Sequence, residues 1–103
     1  MPMNEVEELR DCFVSQISPL RIYLFGSFAE GTNHEQSDFD FYLVVKDGTK
    51  DLAAVTSRAY RAIRQVKRRP VDILVGTESR FNERMIMPTV EKEVFQKGVL
   101  LYG

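Results

Sequence analysis

The 103-residue chain has a single cysteine, Cys12, which excludes an internal disulfide and a multi-cysteine zinc site. That scarcity fits a reducing compartment, and the lone thiol reads as a buried structural side chain. Excess charge of one sign is also missing: 14 Lys and Arg against 15 Asp and Glu leave a formal net charge of −1. No global field draws in a polyanion, so extended, sequence-independent nucleic-acid binding is not the default expectation. No apolar run approaches membrane-spanning length. The acidic start MPMNEVEELRDCFVSQISPL lacks the basic opening and apolar run of a leader, so the expected location is cytoplasmic, with no membrane partner. Repeats, low-complexity stretches and linkers are absent as well, and the expectation is one domain over residues 1–103. A chain of this length builds one core; a second lobe has to come from another chain, as a homo- or hetero-oligomer.

What is present is ordinary globular composition, 44% hydrophobic and 28% charged, arranged in alternating helical and strand patterns. Val6, Leu9, Phe13 and Ile17 recur at steps of three and four, which predicts an amphipathic helix over 4–17, ended by Pro19. LRIYLFG, residues 20–26, predicts a first strand, and DFDFYLVV, residues 38–45, predicts a second, followed by an Asp-Gly turn. Leu52, Val55, Ala59, Ala62, Ile63 and Val66 predict a helix over 51–68, with Thr49 as its cap. PVDILVG, residues 70–76, predicts a third strand closed by Gly76. Thr77 is expected to cap a short helix through Met85. A last helix is expected from Pro88 to Gln96, stopped by Gly98, with VLLY as a short edge strand. The fold class is therefore α/β: a small mixed sheet of three to four strands with helices packed on it.

Two aspartates interrupt the second strand. Residues two apart on a strand share a face, so Asp38 and Asp40 project together, separated by roughly 6 to 7 Å along the chain. Phe39, Phe41, Leu43 and Val45 take the opposite, apolar face and set the register. Like charges held this close raise each other's pKa unless a cation lies between them. On the third strand Val71, Ile73 and Val75 face one way, while Asp72 and Leu74 face the other. With the two strands side by side, three carboxylates converge on a point suited to magnesium or manganese, and metal-assisted phosphoryl chemistry becomes the leading idea. Gly26 permits a sharp turn after the first strand. Ser27 is expected to cap a short helix, SFAEG, whose amides can meet an anion, and Gly31 lets the loop double back toward Asp38. Each element alone is commonplace; their combination carries the signal.

Residues 26–40, GSFAEGTNHEQSDFD, resemble the signature of the DNA polymerase β-like nucleotidyltransferases: Gly-Ser, ten residues, then Asp-x-Asp. The resemblance is closest to the minimal nucleotidyltransferases, little more than a catalytic core and commonly encoded beside an all-helical HEPN-type partner. It implies a polymerase β palm-like core and transfer of a nucleoside monophosphate, AMP from ATP, to a hydroxyl of a protein or RNA acceptor with two Mg2+ ions, or Mn2+. By position it implies that Gly26 and Ser27 hold the triphosphate and that Asp38, Asp40 and Asp72 bind metal. Asp72 is also the expected aid to activation of the acceptor hydroxyl. In the two-gene setting the protein would be the antitoxin of a HEPN-type toxin.

Two departures stand against the pattern. Glu30 occupies a position that is often basic, which sets repulsion near the triphosphate, and Phe39 replaces a more usual aliphatic residue between the aspartates. Glu30, with no base pocket in sight, supports an alternative: a non-catalytic antitoxin or binding module acting by stoichiometric contact. His34 reads as a solvated loop residue near the site. The cluster Arg58, Arg61, Arg64, Lys67, Arg68 and Arg69 is either a solvated helix face or a groove for an RNA or protein acceptor. Met85, Ile86, Met87, Val90 and Phe95 are either core or a partner surface.

Overall fold

The computed structural model describes residues 3–34 and 37–103. In chain order the elements are α1 (Met3–Ile17), β1 (Arg21–Phe25), α2 (Ser27–Glu30), β2 (Phe39–Val45), α3 (Leu52–Ile63), β3 (Val71–Thr77), α4 (Glu78–Arg84), α5 (Val90–Lys97) and β4 (Val99–Tyr102). The strands form one mixed sheet in the order β3-β2-β1-β4. β1 runs antiparallel to both β2 and β4, whereas β2 and β3 are parallel, joined through α3. The expected α/β architecture with an edge strand at the C-terminal end is the observed one. Among the described residues no helix is long and apolar enough to cross a membrane.

The period-two pattern of β2 divides two cores. Phe39, Phe41, Leu43 and Val45 join Ile22, Leu24, Val71 and Ile73 beneath α1 and α3, whose buried stripes are Val6, Leu9, Phe13 and Ile17, and Val55, Ala59 and Ile63. The other face of the sheet is covered too. Tyr23, Tyr42 and Val44 pack against Phe81 of α4 and Val94 of α5. The polar Asp38–Asp40 side of β2 is thus solvated only at its mouth, and beyond it becomes a second interior. Tyr42 donates to Glu91 Oε2 at 2.9 Å while Arg84 Nε donates to Glu91 Oε1 at 2.9 Å, so the buried acid is satisfied from both sides. Burial alone pushes the Glu91 carboxyl up, but the hydrogen bonds from Arg84 and Tyr42 reverse this and hold it below the ordinary value. Burial and the neighbouring Glu91 push the Tyr42 phenol well up.

Several boundaries differ from the expected ones. α3 is capped by Asp51, which accepts from Ala54 N at 2.9 Å; the Thr49 hydroxyl is occupied in donating to the Lys46 carbonyl. α3 ends at Ile63 rather than Arg68, because the amides of Arg64 and Val66 turn back to carbonyls three residues earlier as the chain tightens toward β3. Residues 64–69 therefore form a connecting turn, not a helix face. β3 runs past Gly76 to Thr77; the glycine sits inside the strand because a Cβ there would collide with the Tyr42 hydroxyl. Thr77 caps α4 as expected, and α5 begins at Val90 with Thr89 as its cap, two residues after the expected start at Pro88. Cys12 is partly buried against the first core, and its thiol is pushed up by burial and by Asp11 and Glu8, consistent with a structural role.

Candidate functional site

Strand register brings two of the three carboxylates together. In the parallel β2–β3 pair Asp40 lies opposite Asp72, so the two side chains leave the same face of neighbouring strands. Asp38, expected to open the strand, lies just before it, since β2 begins at Phe39. On its other side Asp40 is the antiparallel partner of Phe25, the last residue of β1, which places the Gly26–Ser27 turn directly beside it. Gly26 adopts φ 75°, and a Cβ there would collide with Asp40 Oδ2. Only glycine satisfies both the turn and the close approach of the carboxylate. Burial first, then the charges of Asp72 and Asp38, push the Asp40 carboxyl up to about 6. Asp40 thus lies within the electrostatic reach of both other acids.

Ser27 does not cap α2. Gly26 is the N-cap residue with no side-chain cap bond, since its positive φ turns the chain early enough that Ser27 already belongs to the helix. The helix closes through Glu30 N to the Gly26 carbonyl at 3.1 Å and ends on Gly31 in the left-handed conformation, which donates to the Ser27 carbonyl. Beyond Gly31, His34 is exposed, and its amide donates to Ser37 Oγ at 2.8 Å. Positions 35 and 36 of the TNHEQS loop lie outside the described residues. Glu30 is exposed at the far end of α2.

In donor chemistry the acids suit a hard divalent cation: three carboxylates, one of which is destabilised as an anion first by burial and then by the other two. Among the described residues no group of three or more His, Cys, Asp and Glu is placed so that it could hold a metal ion. The expected convergence of Asp38, Asp40 and Asp72 on one point is therefore not seen: register brings Asp40 and Asp72 together, and Asp38 lies before the strand. Burial, and after it the repulsion from Asp72 and Asp38, raises Asp40; a dication would relieve the repulsive part, and the paired carboxylates of Asp40 and Asp72 are the donor chemistry that magnesium or manganese takes. The concavities of about 650 Å³ beside α5 and about 360 Å³ between the end of β2 and α3 contain none of Gly26, Ser27, Asp38, Asp40 or Asp72. No base pocket was legible in the sequence, and neither of these hollows supplies one.

One residue of the site region escaped sequence reasoning, where it was grouped with the basic cluster. Arg69 lies half-buried behind the mouth of β2, its Nε and Nη2 donating to the two carboxylate oxygens of Glu5 at 3.1 and 3.0 Å. Its guanidinium stacks 5.0 Å from the ring centroid of Phe28 and 4.6 Å from that of Phe39. Arg68 makes only a long, exposed pair with Glu8 at 3.5 Å, while Arg58, Arg61, Arg64 and Lys67 are exposed. Of the second cluster, Met85 packs into the core beneath α4 and α5, but Ile86 is 78% and Phe95 50% exposed.

A mixed four-stranded sheet with helices on both faces, acids at the mouth of a central strand and a glycine turn beside them defines a nucleotidyltransferase core. The chain belongs to the nucleotidyltransferase domain family, whose model matches residues 6–101. The fold is shared with a toxin-antitoxin protein solved with AMP-PNP, 21% identical with a TM-score of 0.59 over 100% of this chain and 74% of that one. A tyrosine-substituted MntA-HpeT toxin-antitoxin structure is 24% identical, with a TM-score of 0.59 over 100% and 73% of the two chains. A protein of Sulfolobus solfataricus assigned as a nucleotidyltransferase is 23% identical, with a TM-score of 0.51 over 94% and 72%. No curated protein matches the chain.

Proposed function

We propose that this protein is a cytoplasmic, single-domain, magnesium-dependent nucleotidyltransferase that moves AMP from ATP to a hydroxyl of a partner protein or RNA, as the antitoxin of a HEPN-type toxin. The observation that carries the reading is the pairing of Asp40 with Asp72 across β2 and β3, with Gly26 pressed against Asp40. Support for the nucleotide and the biological setting comes from neighbours of the same fold: one is a toxin-antitoxin protein solved with AMP-PNP. Another is an MntA-HpeT mutant in which two aspartates two positions apart are changed to glutamate.

Asp38, Asp40 and Asp72 hold the divalent metal, which when bound supplies charge neutralisation on the phosphates and acidifies the attacking hydroxyl. Gly26 and Ser27, at the open end of α2, offer backbone amides and a hydroxyl to the triphosphate. Asp72, the most exposed of the three acids, faces the acceptor and receives its proton. The acceptor oxygen forms a bond to the α-phosphorus as the bond to the bridging oxygen of pyrophosphate breaks, and pyrophosphate leaves with the electron pair. Carboxylates that start by repelling one another gain most from the metal and its nucleotide together.

A second reading, a binding module without turnover, is favoured by the exposed Glu30 beside the proposed phosphate turn and by the exposed Ile86 and Phe95. Incubation with α-labelled ATP, magnesium and candidate acceptors separates the two. Transfer that disappears in the Asp38→Ala, Asp40→Ala double variant supports the enzyme. Transfer that survives it sinks the assignment, and partner inhibition with no transfer at all supports the module.

A further inference from the structure

The feature that the nucleotidyl-transfer reading leaves unused is Arg69. The last turn before β3 could carry an arginine into solvent, as it does Arg68, yet this one is folded inward onto Glu5, whose side chain is 9% exposed. Drawing a guanidinium and a carboxylate out of water is costly unless the geometry is close to ideal, and here both oxygens of Glu5 are taken by the planar fork. The two rings against which the guanidinium packs are not arbitrary core residues. Phe28 immediately follows Ser27, and Phe39 lies between Asp38 and Asp40; the two rings touch each other at 4.6 Å between centroids. The next residue along, Pro70, accepts the Phe39 amide at 3.2 Å, and Asp72 follows two residues later. One side chain therefore joins α1, the turn that would meet the triphosphate, and the mouths of both strands that carry the carboxylates.

We propose that Arg69 is a positioning residue for nucleotidyl transfer, holding the Gly26–Ser27 turn in register with Asp38, Asp40 and Asp72 through Phe28, Phe39 and Glu5. This rests on the reading of that turn as the triphosphate site. It also gives the phenylalanine of Asp-Phe-Asp a purpose that an aliphatic residue cannot serve, because only an aromatic face attracts the guanidinium. The carboxylates are carried by hydrogen-bonded strands and keep their places without Arg69. α2 is a single turn of helix tied down largely by Phe28, and it does not. Loosening the clamp should therefore separate nucleotide affinity from metal affinity.

The test uses Arg69→Lys, which keeps the charge beside Glu5 but loses the bidentate fork and the planar stack. The control is Val55→Ala, a buried α3 residue beside the end of β2 remote from the aspartates. Titration calorimetry well below the melting temperature is expected to show Mn2+ binding within about twofold of wild type in both variants. ATP in the presence of Mn2+ is expected to bind about tenfold to a hundredfold more weakly in Arg69→Lys alone, the scale of a misplaced contact. Adding Phe39→Leu to Arg69→Lys should weaken binding little further. Nucleotide affinity in Arg69→Lys equal to wild type, or reduced no more than in Val55→Ala, would overturn the proposal. If the wild-type protein binds no nucleotide, the functional reading fails rather than the clamp. Amide hydrogen exchange then decides it: faster exchange over 27–30 in Arg69→Lys, without the same change in α5, supports the positioning role, and unchanged exchange there refutes it.

Discussion

Each face of the sheet draws one glutamate inward and pairs it with an arginine. Glu5 is 8% and Glu91 4% exposed, and both carboxylates are met by an arginine at about hydrogen-bond distance. Their surroundings differ. Glu91 receives a second donor from Tyr42 in the middle of β2 and ties α4 and α5 to the sheet. Glu5 has Arg69 clasping both of its oxygens, and the guanidinium behind it is walled by the rings that flank Ser27 and separate the aspartates. The same chemical pair serves the assembly of the second core in one place and the alignment of a candidate site in the other. A buried ion pair is weak evidence for stability, and its worth has to be read from what it connects.

The comparison breaks most severely at the carboxylates themselves. Asp38→Ala with Asp40→Ala should leave the melting temperature near wild type, while labelled transfer from ATP falls at least about a hundredfold, the loss of several kcal/mol of charge stabilisation. Next comes Glu91→Ala, which strands the Tyr42 hydroxyl and Arg84. A loss of about 2 to 3 kcal/mol in urea unfolding is expected, with ATP affinity unchanged below the transition. Equal losses of stability and nucleotide affinity would erase the distinction between the two pairs.

A smaller effect follows from Asp40. Its folded value of about 6 lies above its ordinary value of 3.8, so protonation favours the folded state. That contribution is full below the unfolded value and is lost as pH rises through about 6. In metal-free protein Asp40→Asn should raise the melting temperature by about 2 to 5 °C at pH 8, after allowing for solvent screening of a partly exposed group. The gain should shrink as pH falls toward 4, and saturating Mg2+ should reverse it by stabilising only the wild type. Constant gain across pH would remove the repulsion argument. Smallest is Tyr60→Phe, which deletes the hydroxyl that accepts the Ile73 amide at 3.0 Å on the outer edge of β3. It should cost about 0.5 to 1 kcal/mol in thermal unfolding and leave Mn2+ binding alone.

Much of this was legible beforehand, and the reasons are local. Strand alternation placed Asp40 on one face and Phe39 and Phe41 on the other; helical spacing picked out Val6, Leu9, Phe13 and Ile17. Thr77 before an acidic first turn marked the start of α4. Caps were misread where two residues competed. Asp51 adjoins α3 while Thr49 spends its hydroxyl on the preceding turn, and a positive φ at Gly26 moves the cap one residue ahead of Ser27.

By itself, then, the amino-acid order determined the periodicities, the turns and the acidic pair, because each depends on residues within a few positions of one another. Only tertiary structure decided that Asp72 stands opposite Asp40, that Tyr42 enters a second core, and that Arg69 turns inward to Glu5, 64 positions away along the chain. Those outcomes depend on which surfaces are left for burial once the strands have paired. No local preference encodes how a charge will be desolvated between elements that meet only in the finished fold.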